Sequence, residues 1–348
     1  MKNKSLPVIL LLLFVVPLYG QKKDSLRDIY VGRFPDYFFV WPVVKQRSAS
    51  FQIEQKNNRG NNLTFKPNNA YGLGFGVYLF EIGAEVTFAI PADDRKNEIF
   101  GKSKAVDVQL NLLSKNWGAD VFYQRYTGFY VTDPNKSVKS NTPYPQRPDM
   151  SIDNFGVNGI YAFNKHKFSL RSAYNFAERQ RKSAGSFLLS GTISSSQMKA
   201  DSAIYGKNYE SEFGTENAVS ELNSFIVSVS PGYTYTLVFK NLFINAAFSV
   251  GPAYRNIDYI VKDIRRSSSG VDGFADYRIA IGYNGGRFFS GVSYVAQSRN
   301  VVIDQARFST LSSTFKLVLG YRFREFGILK ARAVDILPFV NTKDDGAT

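Results

Sequence analysis

The residues in this chain best placed to do chemistry are ionisable ones on the polar side of segments that otherwise alternate apolar and polar side chains. They are Glu85, Asp107, Asp120, Arg171, Asp276, Arg278, Lys316 and Arg322. Both signs are present, so the set can pair across a filled interior, or line a narrow polar passage or a binding cavity. Catalysis is harder to build. General-base work falls most often to His, and the chain has one, His166, in the short polar turn Asn164 to Lys167. Serine is too abundant to select a Ser-His-Asp arrangement, which weighs against an enzyme.

Gly72, Gly74 and Gly76 imitate part of a nucleotide-binding loop. They stand at alternate positions of a strand-like segment with no helix after it, so they are expected to be small inward residues that leave room for larger neighbours. Cys is absent, which excludes disulfides, thiolate metal sites and a cysteine nucleophile. No spacing of His, Asp and Glu suggests a metal site, and no cofactor is expected. The stretch Glu178 to Leu222 reads as the longest loop, and loops of that size are often functional. It opens with basic Arg179, Gln180, Arg181 and Lys182, suited to bridging lipopolysaccharide phosphates or gating a ligand, and then meets Ser183, Ala184, Gly185, Ser186, Phe187, Leu188 and Leu189, an apolar stretch suited to extending the strand or folding into the lumen.

These residues need a scaffold, and its first segment is one that is removed. Residues 1–20 join Lys2 and Lys4 to an apolar run and a small Gly20, the pattern of a cleaved secretory signal. The run is shorter than the ~20 residues of a helical membrane span. The formal net charge is +14; in an exported protein the expected partner is anionic lipid or lipopolysaccharide, not nucleic acid. Tyr 21, Phe 30 and Gly 27 form a composition suited to strands and turns.

A period of two recurs along most of the remaining chain, the mark of strands with one greasy face. In Phe225 to Leu237, Phe225, Val227, Val229, Tyr233, Tyr235 and Leu237 oppose Ser228, Ser230, Gly232, Thr234 and Thr236. Leu311 to Phe323 sets Phe315, Leu317, Leu319, Tyr321 and Phe323 against Thr314, Lys316, Gly320 and Arg322. Tyr71 to Leu79, Ile82 to Ile90, Val106 to Leu112, Phe155 to Phe163, Phe168 to Phe176, Leu242 to Val250 and Tyr277 to Tyr283 read alike, and Trp117 to Tyr126, Phe288 to Ala296 and Phe51 to Glu54 are weaker copies.

The expected fold is all-β: a transmembrane antiparallel β-barrel of about twelve strands, within about 10 to 14. A soluble β-sandwich would also alternate, but its connections need not sort by length. Here short turns at Phe80 to Glu81, Ser114 to Asn116, Asn164 to Lys167, Phe239 to Asn241 and Asn284 to Gly286 alternate with longer polar stretches. Those stretches, at Pro91 to Lys104, Thr132 to Ser151, Glu178 to Leu222, Asp258 to Asp272 and Ile303 to Arg307, are expected outside the cell, with the short turns in the periplasm. The barrel is expected over 48–323. Residues 21–47 are read as a periplasmic segment or plug, and 324–348 as a tail or closing strand. Arg125, alone among the apolar faces in being charged, is expected to snorkel at the outer rim.

Asp28 to Gly32, Pro67 to Asn69 leading into Gly72, and Gln180 to Phe187 make the chain resemble a family of uncharacterised outer-membrane barrels of Bacteroidota-type bacteria, a domain of unknown function numbered 4421. The resemblance implies fold and location, and supplies no reaction or ligand. The expected role is a passive small-solute channel or binding barrel, favoured as a monomer, with a mixed-charge lumen. The alternatives are a structural or surface-exposed barrel and a lipid-modifying enzyme near the long loop.

Overall fold

The computed structural model describes residues 25–326 apart from 56–57, 69–70, 80–81, 91–92, 137–138, 140, 207–208, 214–217 and 304–305. The expected signal (1–20) and most of the expected tail (324–348) lie outside the described residues. The chain begins with α1 (Ser25–Tyr30) and β1 (Val31–Arg33), then runs through β2 (Tyr37–Gln55), β3 (Asn58–Lys66), β4 (Gly72–Leu79) and β5 (Ile82–Ala89). After α2 (Asp94–Phe100) come β6 (Lys104–Leu113), β7 (Trp117–Thr132) and β8 (Gln146–Ala162). α3 (Leu170–Tyr174) and β9 (Glu178–Gln180) precede β10 (Ala184–Lys199), and α4 (Glu210–Phe213) precedes β11 (Val219–Phe239). The last strands are β12 (Leu242–Val261), β13 (Ile264–Asn284), β14 (Phe288–Ile303) and β15 (Ala306–Arg324).

Pairing is antiparallel throughout, and β15 returns to β2 from Ala306↔Gln55 to Arg324↔Tyr37, closing the sheet. β3 and β4 are two halves of one descending strand: Phe65 pairs with Phe51 in the outer half of β2, and Tyr78 with Phe39 in its inner half. Counted so, the wall has 12 strands. β5 and β6 stop short of the outer end, and above them β3 pairs directly with β7 through Phe65↔Val131. Asn68 fills that corner, its side-chain amide donating to the Gly101 carbonyl (2.8 Å) and its backbone N–H to Ser103 Oγ (2.7 Å). Closure leaves no open edge, which is what a β structure needs in hydrocarbon.

The alternation resolves as read. Phe225, Val229, Tyr233, Tyr235 and Leu237 are exposed on the outside of β11, while Ser228, Ser230, Thr234 and Thr236 are buried inside. Phe315, Leu317, Leu319 and Phe323 do the same on β15, as do Ile244, Phe248 and Val250 on β12. A band of large exposed apolar side chains around a closed, polar-lined wall suits lipid and not water. Arg125 faces outward and pairs with Asp153 (3.5 Å).

Five expectations are corrected. Phe168 to Phe176 is not a wall strand: it carries α3, and Phe168, Leu170 and Ala173 are buried beneath the barrel's inner end. Glu178 to Leu222 is not one loop, because Ala184–Lys199 is a full wall strand between β8 and β11. Most of Asp258 to Asp272, and Ile303, Ala306 and Arg307, lie in strands as well. β12 and β13 pair as far as Val261↔Ile264, turning through Lys262 and Asp263 at positive φ, and β14 pairs with β15 as far as Ile303↔Ala306. These strand ends continue past the outer apolar band, while their inner faces pack Ile257, Tyr259, Val261 and Phe308 into a buried core. Finally, the wall begins at Tyr37, not at residue 48.

Candidate functional site

The lumen is filled at both ends. At the outer end, Ile204, Tyr205, Tyr209 and Phe213 from the β10–β11 connection pack into a core with Phe51, Phe65, Phe129, Ile152 and Ile257 of the wall. Arg147 on β8 fastens this outer stopper, donating to the carbonyls of Ala203 (2.7 Å) and Ile204 (2.5 Å) while paired with Asp149 (2.7 Å).

At the inner end, β1 pairs with β9 (Val31↔Gln180) in a two-stranded ribbon. Arg27 on α1 is buried and pairs with Glu178 (2.5 Å), which also accepts from Ser169 Oγ (2.6 Å). Burial pushes the Arg27 guanidinium below its ordinary value, and Glu178 pulls it back up. Arg322, 0% exposed, donates to the carbonyls of Phe176 (2.6 Å) and Gly285 (2.9 Å) and to Asn284 Oδ1 (2.6 Å), with the rings of Phe34, Phe39 and Phe289 around it. Arg322 is thus a clamp for the inner stopper. Arg171 sits on α3 and donates to the Leu113 carbonyl (2.8 Å).

The basic run expected on an outer loop lies at this inner end instead. Arg179 and Gln180 are in the ribbon; Gln180 Oε1 accepts from Ser169 N (3.0 Å) and its amide donates to the Lys167 and Lys182 carbonyls. Arg181 donates to the Asp28 carbonyl (2.9 Å), and Lys182 stands over the Tyr30 ring. Ser183 Oγ accepts from Val238 N (2.9 Å), Ser186 Oγ from Asn164 N (2.9 Å), and the Gly185 carbonyl from Asn164 Nδ2 (2.8 Å). They anchor the stopper to the base of β10. His166 is exposed in the turn beside them.

Between the stoppers lies a cavity of about 210 Å³. Lys45, Asp120, Arg278 and Lys316 line it with amides and hydroxyls such as Gln124, Asn158, Ser293 and Gln297. Glu85 is buried, in ion pairs with Lys45 and Lys316 (3.4 Å to the latter), and accepts from Trp41 Nε1 (3.0 Å). Lys45 and Lys316 are cross-strand partners. Gly76 pairs with both Trp41 and Glu85, and a Cβ there would stand inside the Trp41 ring, so the glycine makes room for the indole as the sequence suggests. Arg278 holds Asp276 (3.1 Å) and spans the lumen to Asp120 on β7 (3.9 Å), over the Tyr174 ring of the inner stopper. Asp107 is one inward position further out, between Thr87 and Gln124.

Of the predicted charges, Glu85, Asp120, Asp276, Arg278 and Lys316 therefore gather at mid-lumen, and Arg171 and Arg322 serve the inner stopper. Lys45, Trp41 and Tyr174 were missed. Lys45 follows Phe39, Trp41 and Val43 on the inner face, but those residues pack on the stopper, so both faces of β2 are apolar there and the period-two signal is lost.

A family model described as a domain of unknown function (DUF4421) matches residues 22–323. The chain belongs to that family. No curated protein matches this DUF4421 chain. Its barrel is similar to the outer membrane protease OmpT of Escherichia coli, with 10% identity over 83% of this chain and 97% of that one and a TM-score of 0.40. The β domain of the Bordetella autotransporter BrkA is similar at 9% identity, 83% and 100% coverage and a TM-score of 0.36, and the P. putida toluene transporter TodX at 8%, 87% and 93%, and 0.30. At these identities and scores no site or activity carries over to the DUF4421 chain, and its barrel rests on the pairings above.

Proposed function

We propose that the protein is an exported outer-membrane barrel, its signal cleaved after Gly20, that holds a small hydrophilic solute at mid-lumen and releases it only when a stopper shifts. One observation carries the reading: a cavity of about 210 Å³ that holds charged groups of both signs lies between two packed apolar layers. A purely structural barrel has no use for the space, and an open passive channel would not need the layers. The apolar outer band fits a bilayer, and exposed Lys262, Arg265 and Arg266 at the outer tip of β12–β13 suit lipopolysaccharide phosphate.

Planar-bilayer conductance tests it. The wild type is expected to show no steady open-pore current, and Arg147→Ala, which loosens the outer stopper, to produce discrete openings. A steady current from the wild type would make the barrel a passive channel. Silence from both proteins, together with no solute retained by the purified barrel, would leave the structural role, which the full pairing of Glu85 favours.

A further inference from the structure

The charges around the cavity are not evenly mixed. On one side, two ammonium groups, Lys45 and Lys316, share the single carboxylate of Glu85. In a second group two carboxylates from opposite walls, Asp120 on β7 and Asp276 on β13, share the guanidinium of Arg278. Within these described ion pairs the first group holds one more positive than negative charge, and the second the reverse. Burial keeps such fields from being screened by salt.

What each side shows to the void sharpens this. Lys316 lines the cavity, is 25% exposed and stands 3.4 Å from Glu85, whereas Glu85 is 4% exposed and lies behind it. Asp120 lines the cavity at 15% exposure, with Arg278 at ion-pair and not hydrogen-bond distance, whereas Asp276 is bonded to Arg278 and Gln297 (3.0 Å) and does not line it. So the first group presents lysine ammonium groups to the void, and the second presents the Asp120 carboxylate beside Arg278, which also lines the cavity. A solute carrying one charge of one sign satisfies half of this arrangement and opposes the other.

We infer that the solute is a small zwitterion, its carboxylate placed at Lys316 and Lys45 and its ammonium at Asp120. The inference rests on the binding role proposed above and names the ligand class of that cavity. Hydrogen bonds between charged groups in a water-poor site are the stronger kind, and the amide and hydroxyl lining between the poles suits the polar middle of an amino acid or a dipeptide.

The test uses the full-length barrel in detergent, with isothermal titration of ω-amino acids from glycine to 6-aminohexanoate beside the matching monocarboxylates and monoamines. One ω-amino acid length is expected to bind best, at least tenfold tighter than either singly charged analogue. Asp120→Asn is expected to erase the preference over the carboxylate, and Lys316→Gln the preference over the amine, in protein that still shifts on heating in a gel. Equal or tighter binding of the carboxylate would overturn the zwitterion while leaving a binding barrel. Binding of none of the three series would overturn the binding role itself.

Discussion

Glu85 is held by two lysines and an indole N–H within the lumen, and removing one member of a buried ion-pair group leaves the others uncompensated. Glu85→Gln places Lys45 and Lys316 together without their shared carboxylate, and is expected to destabilise the barrel by about 3 kcal/mol. Urea unfolding in detergent reads this, and an unchanged midpoint would mean that water already screens the pair. The same residue shows what the sequence made visible. Glu85, Asp120, Asp276, Arg278 and Lys316 stood on polar faces of alternating segments, so their inward direction was legible. Which of them meet was not, since Arg278 and Asp120 come from β13 and β7 on opposite walls, a relation fixed by barrel closure and not by local pattern.

The stoppers belong to the scale of elements. Residues in these connections are buried like a soluble core, so the rule that strands alternate and loops are polar misleads there. Phe168 to Phe176 mimicked a strand because α3 and its flanks are buried in the inner stopper. β10 escaped notice for the opposite reason: Leu188 is buried against that stopper beside outward Phe187 and Leu189, and the strand then turns serine-rich on both faces. Phe213 is 2% exposed in the outer core, so Phe213→Ala is expected to cost about 3 kcal/mol of that element's local stability. Hydrogen exchange should show faster exchange in the β10–β11 connection, with the wall strands unchanged; uniform acceleration everywhere would mean that stopper and wall unfold as one unit.

For the whole molecule, orientation toward lipid is the property that matters, and it was the most legible because it repeats on nearly every strand. Ile279 on β13 pairs with Ala246, with Tyr277 and Tyr283 two and four residues away on the same outer face. That puts it near mid-depth, where an outward Arg costs about 2–4 kcal/mol. Ile279→Arg is expected to lower the yield and stability of refolding into liposomes by that amount, and to do far less in a micelle that lets the side chain reach water. Equal loss in both would point to a packing defect and not to lipid contact.

The inner stopper is spliced into the wall where β2 begins, where β8 ends and where β10 begins, and its ribbon joins residues about half the chain apart, Val31 with Gln180. Assembly is therefore constrained: the residues of this ribbon near the start of the chain find their mates only once the middle of the polypeptide is in place. With three hinges to the cylinder, the bung can tilt or loosen where it stands but cannot be shed like a cork, so passage through the inner mouth would be brief and narrow even when the outer one is ajar.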